Sequence, residues 1–176
     1  MRRVFIAVRP PSEVAMAVHE RLCTKIPAGG WKVVPAENLH ITMLFIGHVD
    51  ESAFSGIREK MGRVRGAFPG KFDAELRGTG GFNGRVLWLG VREGAEMLEK
   101  IAGALRESFG LGGEKFSPHM TLARAGRSRG ADACDVLRAL GNEDFSARFK
   151  AEGIDLMESA LMPEGPKYSQ VFRLCL

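Results

Sequence analysis

The 176-residue chain is poor in cysteine and has no long apolar run. Its three cysteines, Cys23, Cys134 and Cys175, lie far apart, and none has the C-x-x-C spacing of a zinc site. We therefore expect no disulfide framework, and each cysteine should be a small buried residue in a protein of the reducing cytoplasm. Because no stretch of about 18 apolar residues occurs, we also expect no membrane-spanning helix.

Chain length and net charge indicate the number of domains and the kind of partner. A chain of this length predicts one domain, residues 1–176, and we expect it to be a monomer. The formal net charge is +4, which favours an anionic partner such as a phosphate or a nucleic acid. A basic surface without such a partner explains the same charge equally well.

Segments with apolar residues at every second position alternate with segments of helical period. The predicted strands cover about 3–9, 31–34, 38–46, 72–76, 86–91, 119–124, 145–161 and 168–174. The predicted helices cover about 12–25, 50–64, 93–109 and 132–140, with Asp50 as a helix cap. The glycine-rich stretch 78–84 is predicted to join two strands. Short turns between mixed elements predict an α+β fold with antiparallel pairing.

Two short motifs stand out in this pattern. His40-Ile41-Thr42 and His119-Met120-Thr121 each lie in an apolar strand, 79 residues apart. Because side chains alternate across a strand, the histidine and threonine of each motif share one face, while Ile41 and Met120 point into a core. Helices and strands recur around each motif in a similar order, which predicts two lobes related by approximate two-fold symmetry.

Two histidines and two threonines suit the hydrolysis of a cyclic phosphodiester. One imidazole activates water and the other protonates the leaving oxygen on the far side of phosphorus. Histidine titrates near neutrality, so one ring can be neutral while the other is protonated. The hydroxyls of Thr42 and Thr121 can donate to the non-bridging oxygens. From the residues alone, either histidine can be the acid.

The surrounding sequence does not suggest a metal or another catalytic histidine. No H-E-x-x-H motif and no acidic cluster accompanies either motif, so we expect neither a metal nor a cofactor. The other two histidines, His19 and His48, have no threonine at the same spacing. We expect these two to be surface residues.

The sequence resembles the 2H phosphoesterase superfamily, in particular the LigT-like RNA 2′,3′-cyclic phosphodiesterases, also called 2′-5′ RNA ligases. The two motif strands, 37–47 and 116–124, carry the specific part of the resemblance, and segments 3–8 and 161–168 support it. The resemblance implies a bilobal fold with a central cleft and metal-independent cleavage to a 2′-phosphate. It implies His40 as the proton donor to the leaving 3′ oxygen and His119 as the proton acceptor from water.

The same resemblance implies phosphate contact by Arg124, although strict alternation sets Arg124 on the face opposite His119. Alternation also places Phe45 on the core side, with Ile41. Phe82 and Tyr168 are candidates for stacking on a base, with core or surface packing as the alternative. Arg127 and Arg129 follow the second motif, where they can contact RNA or simply be solvated.

Three functions remain open at this level. The first is hydrolysis of the cyclic phosphate end of RNA. The second keeps the site but changes the substrate to a small cyclic nucleotide, or runs the reverse reaction as a 2′-5′ RNA ligase. The third is a non-catalytic protein that binds RNA ends, which the two intact motifs disfavour.

Overall fold

The computed structural model describes residues 1–68, 70–112, 116–126, 132–163 and 165–176. Within these ranges the chain forms nine strands and four α-helices. The strands are β1 (Arg2–Val8), β2 (Trp31–Val33), β3 (Ile41–Val49), β4 (Phe72–Phe82), β5 (Val86–Val91), β6 (His119–Ala125), β7 (Ser146–Ala151), β8 (Gly153–Met162) and β9 (Gly165–Cys175). The helices are α1 (Ser12–Arg21), α2 (Phe54–Arg63), α3 (Ala95–Phe109) and α4 (Ala133–Gly141).

All strand pairs are antiparallel, and the strands form one curled sheet in the order β7-β4-β5-β6-β3-β1-β8-β9. The short strand β2 pairs with β6 beside β3. The order divides into two four-stranded halves that meet where β6 pairs with β3. These halves are the two lobes that the repeated pattern predicted, so the expected α+β bilobal fold is confirmed.

The helices pack on one face of the sheet and enclose the main core. Helices α1 and α4 contact β7 and β4 in one lobe, while α3 and α2 contact β3 and β9 in the other. Helix α2 buries Phe54, Ile57 and Met61, as its helical spacing predicted. The opposite face of the sheet, which carries His40, Thr42, His119, Thr121 and Phe5, is called the open face below.

The predicted single strand over 145–161 is wrong, because the chain forms β7 and β8 there. Strand β7 pairs with β4 in one lobe, and after Glu152 the chain crosses to the other lobe, where β8 pairs with β1. Gly153 allows this crossing at close range, since a Cβ there would lie 2.7 Å from the carbonyl oxygen of Leu174. An alternation of apolar residues does not reveal which neighbour a strand pairs with.

Two further expectations need correction. The glycine-rich stretch 78–84 is not a separate connection, because β4 continues through it to Phe82 and pairs with β5 there. Asp50 does not cap helix α2 through its side chain; a 3-10 turn from Glu51 to Ala53 leads into the helix instead. Asp132 does cap α4, accepting a hydrogen bond from the backbone N–H of Cys134 at 2.7 Å.

The three cysteines are all free, but only Cys23 is buried, so the expectation of burial is wrong for Cys134 and Cys175. Burial raises the pKa of the Cys23 thiol to about 12, which leaves it protonated and unreactive. Among the helices of the described ranges, none is long and apolar enough to cross a bilayer.

Candidate active site

The two motifs meet at the junction of the lobes. Strands β3 and β6 run antiparallel, and Ile41 pairs with Met120. Continuing this register by one residue on each side sets His40 opposite Thr121 and Thr42 opposite His119. Ile41 and Met120 are fully buried in the core, so the four polar side chains lie together on the open face. The pseudo-two-fold axis passes through the Ile41–Met120 pair.

Both imidazoles have the same backbone contact. Nδ1 of His40 lies 2.6 Å from the carbonyl oxygen of Asn38, and Nδ1 of His119 lies 2.7 Å from that of Ser117. Because a carbonyl oxygen only accepts, each Nδ1 must carry the proton. This fixes the tautomer in both lobes and leaves each Nε2 to take up or release a proton. Nε2 of His40 lies 3.0 Å from the Thr42 hydroxyl.

Aromatic side chains flank each imidazole. The ring of His40 lies 4.9 Å from Phe5 and 5.3 Å from Tyr168, centroid to centroid, the latter edge-on. In the other lobe, His119 lies 4.9 Å from Phe82 and 6.2 Å from Trp88. These rings limit the orientations available to the imidazoles and provide apolar surface beside them.

A bulge follows the motif in each lobe and changes which face the next side chains occupy. Trp88 pairs with Thr121 and Leu87 with Ala123, so β6 contains one extra residue, Leu122. Leu122 and Ala123 are therefore both buried, and Arg124 returns to the open face, on the side of Thr121. Strict alternation thus predicted the wrong face for Arg124, because the bulge at Leu122 interrupts the alternation within β6.

The same bulge occurs at the equivalent place in β3. Ala7 pairs with Thr42 and Ile6 with Leu44, which leaves Met43 as the extra residue. Phe45 is consequently 53% exposed and pairs with Phe5 on the open face, so its predicted core position is wrong. Phe45 in one lobe and Arg124 in the other both lie five residues after the motif histidine. The two lobes therefore have the same backbone irregularity at this point, but one presents an aromatic side chain and the other a positively charged one.

Burial and neighbouring charges both act on the pKa of His40. Desolvation by its surroundings lowers the pKa of His40 below its ordinary value of 6.5, and the positive charges of Arg124, Arg9 and His119 lower it further. The hydrogen bond to the Asn38 carbonyl opposes this by favouring the protonated ring. His119 and Arg124 therefore both lie within electrostatic reach of His40.

The structure adds residues that the sequence patterns did not identify. Asn38 is buried, donates from Nδ2 to the carbonyl oxygen of Pro166 at 2.8 Å, and supplies the carbonyl that holds His40. Trp88 packs over Gly80 and faces His119. A sequence signal existed for the bulges, since two adjacent small or apolar residues follow each motif. None existed for Asn38, whose partner is 128 residues away.

Within the described ranges, no group of three or more His, Cys, Asp or Glu side chains is arranged to hold a metal ion. His19 and His48 lie away from the motif pair, His19 near the end of helix α1 and His48 paired with Arg3 on β1. Arg127 and Arg129 fall outside the described ranges.

Comparison with known sequences shows the family of the chain. The sequence profile described as "2′-5′ RNA ligase superfamily" matches residues 10–161. This chain belongs to the 2′-5′ RNA ligase superfamily. An RNA 2′,3′-cyclic phosphodiesterase of Archaeoglobus fulgidus is 32% identical to it, over 96% of this chain and 97% of the relative. A protein of the same name from Thermus thermophilus is 34% identical, over 99% of this chain and 90% of its own length.

Solved structures of other members share the fold. A Thermus thermophilus crystal structure superposes with a TM-score of 0.75 at 31% identity, covering 99% of this chain and 97% of the other. Escherichia coli LigT, crystallised with 3′-AMP, superposes with a TM-score of 0.80 at 23% identity, covering 99% and 98% of the two chains. Both structures therefore share the fold of this chain.

Proposed function

We propose that the protein is an RNA 2′,3′-cyclic phosphodiesterase that opens the cyclic phosphate at an RNA end to a 2′-phosphomonoester. The observation that carries this proposal is the antiparallel Ile41–Met120 pair, which gathers two imidazoles and two hydroxyls on one face. The names of the relatives in Archaeoglobus and Thermus support the same substrate.

The reaction assigns one role to each histidine. Nε2 of His119 accepts a proton from water as the water oxygen bonds to phosphorus. The bond from phosphorus to the 3′ oxygen breaks, and Nε2 of His40 donates a proton to that oxygen. The fixed Nδ1–H of each ring keeps Nε2 directed into the cleft for these transfers. The assignment of donor and acceptor follows the resemblance, and the pH experiment below tests it.

The phosphate needs neutralisation as well as proton transfer. The hydroxyls of Thr42 and Thr121 are diagonal to each other about the pseudo-two-fold axis, where they can donate to the two non-bridging oxygens. Arg124, brought to the same face by the bulge, supplies a positive charge. We propose that these three groups bind the phosphate and that no metal takes part.

Hydrolysis of an oligonucleotide ending in a 2′,3′-cyclic phosphate, measured in excess EDTA, tests the proposal. We expect wild-type activity to survive chelation and to leave a 2′-phosphate. His40→Ala and His119→Ala should each lower kcat/KM by at least about a hundredfold, the scale of losing a general acid or base.

The chain offers a matched control in its other two histidines, since His19→Ala and His48→Ala should retain wild-type activity. The proposal fails if the wild type binds the oligonucleotide without turnover, or if the motif variants are as active as these controls. Activity that EDTA removes and a divalent cation restores would overturn the metal-independent mechanism alone.

A further inference from the structure

A row of polar side chains continues from His40 across the open face of its lobe. Val8 pairs with Ile41, so the next residue, Arg9, lies beside His40 on the neighbouring strand. Two residues earlier on the same face of β1, Ala7 pairs with Asp155 on β8, and Asp155 in turn pairs with Arg173 on β9. Neighbouring strands lie about 4.8 Å apart, so Arg173 is about 14 Å from β3.

A buried carboxylate holds the two arginines of this row. The Asp155 side chain is 1% exposed; its Oδ2 lies 2.9 Å from Nε of Arg9 and its Oδ1 lies 3.6 Å from a terminal nitrogen of Arg173. Arg9 also donates to the side-chain oxygen of Gln170. The two arginine side chains remain 34% and 35% exposed. One carboxylate neutralises one guanidinium, so this pre-organised pair presents an excess positive charge.

These arginines line a cavity of about 820 Å³, which Arg9 connects with His40 on the neighbouring strand. Its wall includes the buried Leu39 and also Lys150, whose ammonium group lies 3.0 Å from the carboxylate of Asp73. Pro11 and Met16, at the start of α1, supply an apolar side. Two acids, Glu37 and Glu152, also line the wall. Glu152 is paired with Lys71, 2.8 Å away and outside the cavity, and also lies within electrostatic reach of Arg173 and Lys150. The volume lies within the range of pockets that hold small organic ligands.

We propose that this cavity binds the nucleotide on the 5′ side of the cyclic phosphate, with its phosphodiester on the guanidinium groups of Arg9 and Arg173 and its base against Pro11 and Met16. The inference rests on the proposed function, because a cyclic phosphate closes the 3′ end and the strand can continue only in the 5′ direction. Planar guanidinium groups suit a phosphodiester, and an apolar wall suits a base.

The electrostatics of the site agree with this placement. Arg9, on the cavity wall, lowers the pKa of His40, so it lies within electrostatic reach of the candidate active site. An RNA chain whose terminal cyclic phosphate lies between the two histidines would therefore reach Arg9 first and Arg173 next. The protein should accordingly prefer an oligonucleotide end to a single cyclic nucleotide.

The test compares kcat/KM for adenylyl-adenosine 2′,3′-cyclic phosphate with kcat/KM for adenosine 2′,3′-cyclic phosphate. The wild type should prefer the dinucleotide by at least about tenfold, and Arg173→Gln should remove most of that preference, as expected for one charge-assisted hydrogen bond. Arg173 is chosen because it lies three strands from His40. Lys150→Gln is a second variant, and its exposed side chain makes misfolding a poor explanation for any loss.

Arg148→Gln is the matched control: Arg148 lies two residues before Lys150 on β7, faces the same way, and pairs with Glu75 and Glu93 away from the cavity. It should keep the wild-type preference. The inference is overturned if the wild type hydrolyses both substrates equally, or if Arg173→Gln and Lys150→Gln leave the preference unchanged. Hydrolysis of neither substrate by the wild type overturns the proposed function itself, so the two failures are distinct.

Discussion

At the scale of single residues, the two histidines share a backbone contact and differ in their surroundings. Each ring donates from Nδ1 to the carbonyl oxygen two residues earlier. His40 is in addition desolvated and lies near Arg9 and Arg124, so its pKa is lowered. A bound phosphate anion opposes those positive charges and raises the pKa again. If His40 is the proton donor, as proposed, the bound substrate therefore favours its protonated form.

This leads to a prediction for the pH dependence. If His40 is the donor, kcat/KM, which reports the free enzyme, falls as pH rises through the lowered pKa, below 6.5. The corresponding fall in kcat, which reports the complex, should occur at higher pH. Arg124→Gln removes one charge that lowers the pKa of His40, so it should move the kcat/KM limb to higher pH. A rate that instead rises through this limb would make His40 the acceptor.

We propose that Asn38 positions His40, because its carbonyl oxygen accepts from the His40 ring while its side chain is held by Pro166. Asn38→Ala removes the hydrogen bond from the buried Asn38 side chain to the carbonyl oxygen of Pro166, which should cost about 0.5–1.5 kcal/mol of unfolding free energy. The measurement is urea denaturation. Because the His40 ring loses support, kcat should fall more than KM rises.

The variant Asn38→Asp distinguishes an effect on His40 from an effect on the stability of the fold. It loses the same donor, but its negative charge near His40 should raise the pKa of that ring and move the kcat/KM limb to higher pH. Asn38→Ala should leave the limb where it is. Identical pH profiles for the two variants would limit Asn38 to a structural role.

At the scale of elements, strand bulges decide which side chains enter the site. The extra residues Met43 and Leu122 bring Phe45 and Arg124 to the open face at equivalent places in β3 and β6. Another close fit occurs between β4 and β5, where Trp88 lies over Gly80. A Cβ on Gly80 would lie 2.2 Å from the indole ring. Strand β4 thus positions Trp88, and Trp88 borders His119.

Gly80→Ala should therefore impair both stability and activity. Displacing Trp88 should cost about 1–3 kcal/mol of unfolding free energy, as overpacking does. A shift of about 1 Å at His119 can lower kcat/KM by up to about a hundredfold. The control is Gly103→Ala in helix α3, where a Cβ meets no atom within 4 Å; it should be neutral or stabilising. Equal behaviour of the two variants would contradict the role given to Trp88.

At the scale of the whole molecule, the site exists only where the two lobes meet. Each lobe contributes one histidine and one threonine, and the β6–β3 pairing is the junction between them. The chain crosses between lobes after β7, so the two halves cannot separate as independent sequence segments. One chain therefore holds a complete set of proposed catalytic groups.

Because the set is complete within one chain, inactive variants should not rescue each other. A mixture of His40→Ala and His119→Ala should remain as inactive as either alone, and size-exclusion chromatography with light scattering should give the mass of one chain. Recovery of activity in the mixture would show that two chains share a site and would contradict the predicted monomer.

Particular residues show which features of the fold and the site could be predicted from the sequence. The motif pair, the helices and the shared face of His40 and Thr42 all follow from local periodicity, which depends on near neighbours in the chain. The division of 145–161 into two strands does not, because it depends on partners in different lobes. Phe45 and Arg124 were given the wrong faces for a related reason, since a bulge is defined by the register of a neighbouring strand.

The sequence by itself determined the chemical groups: two imidazoles and two hydroxyls, presented in pairs by strands with one apolar face. Only the tertiary structure decided that the pairs oppose each other across Ile41 and Met120, that Arg124 joins them, and that Asp155 contacts both Arg9, beside His40, and the more distant Arg173. The physical reason is that side-chain type and alternation are local properties of the chain. Register and charge proximity arise only when distant segments pair and exclude water between them.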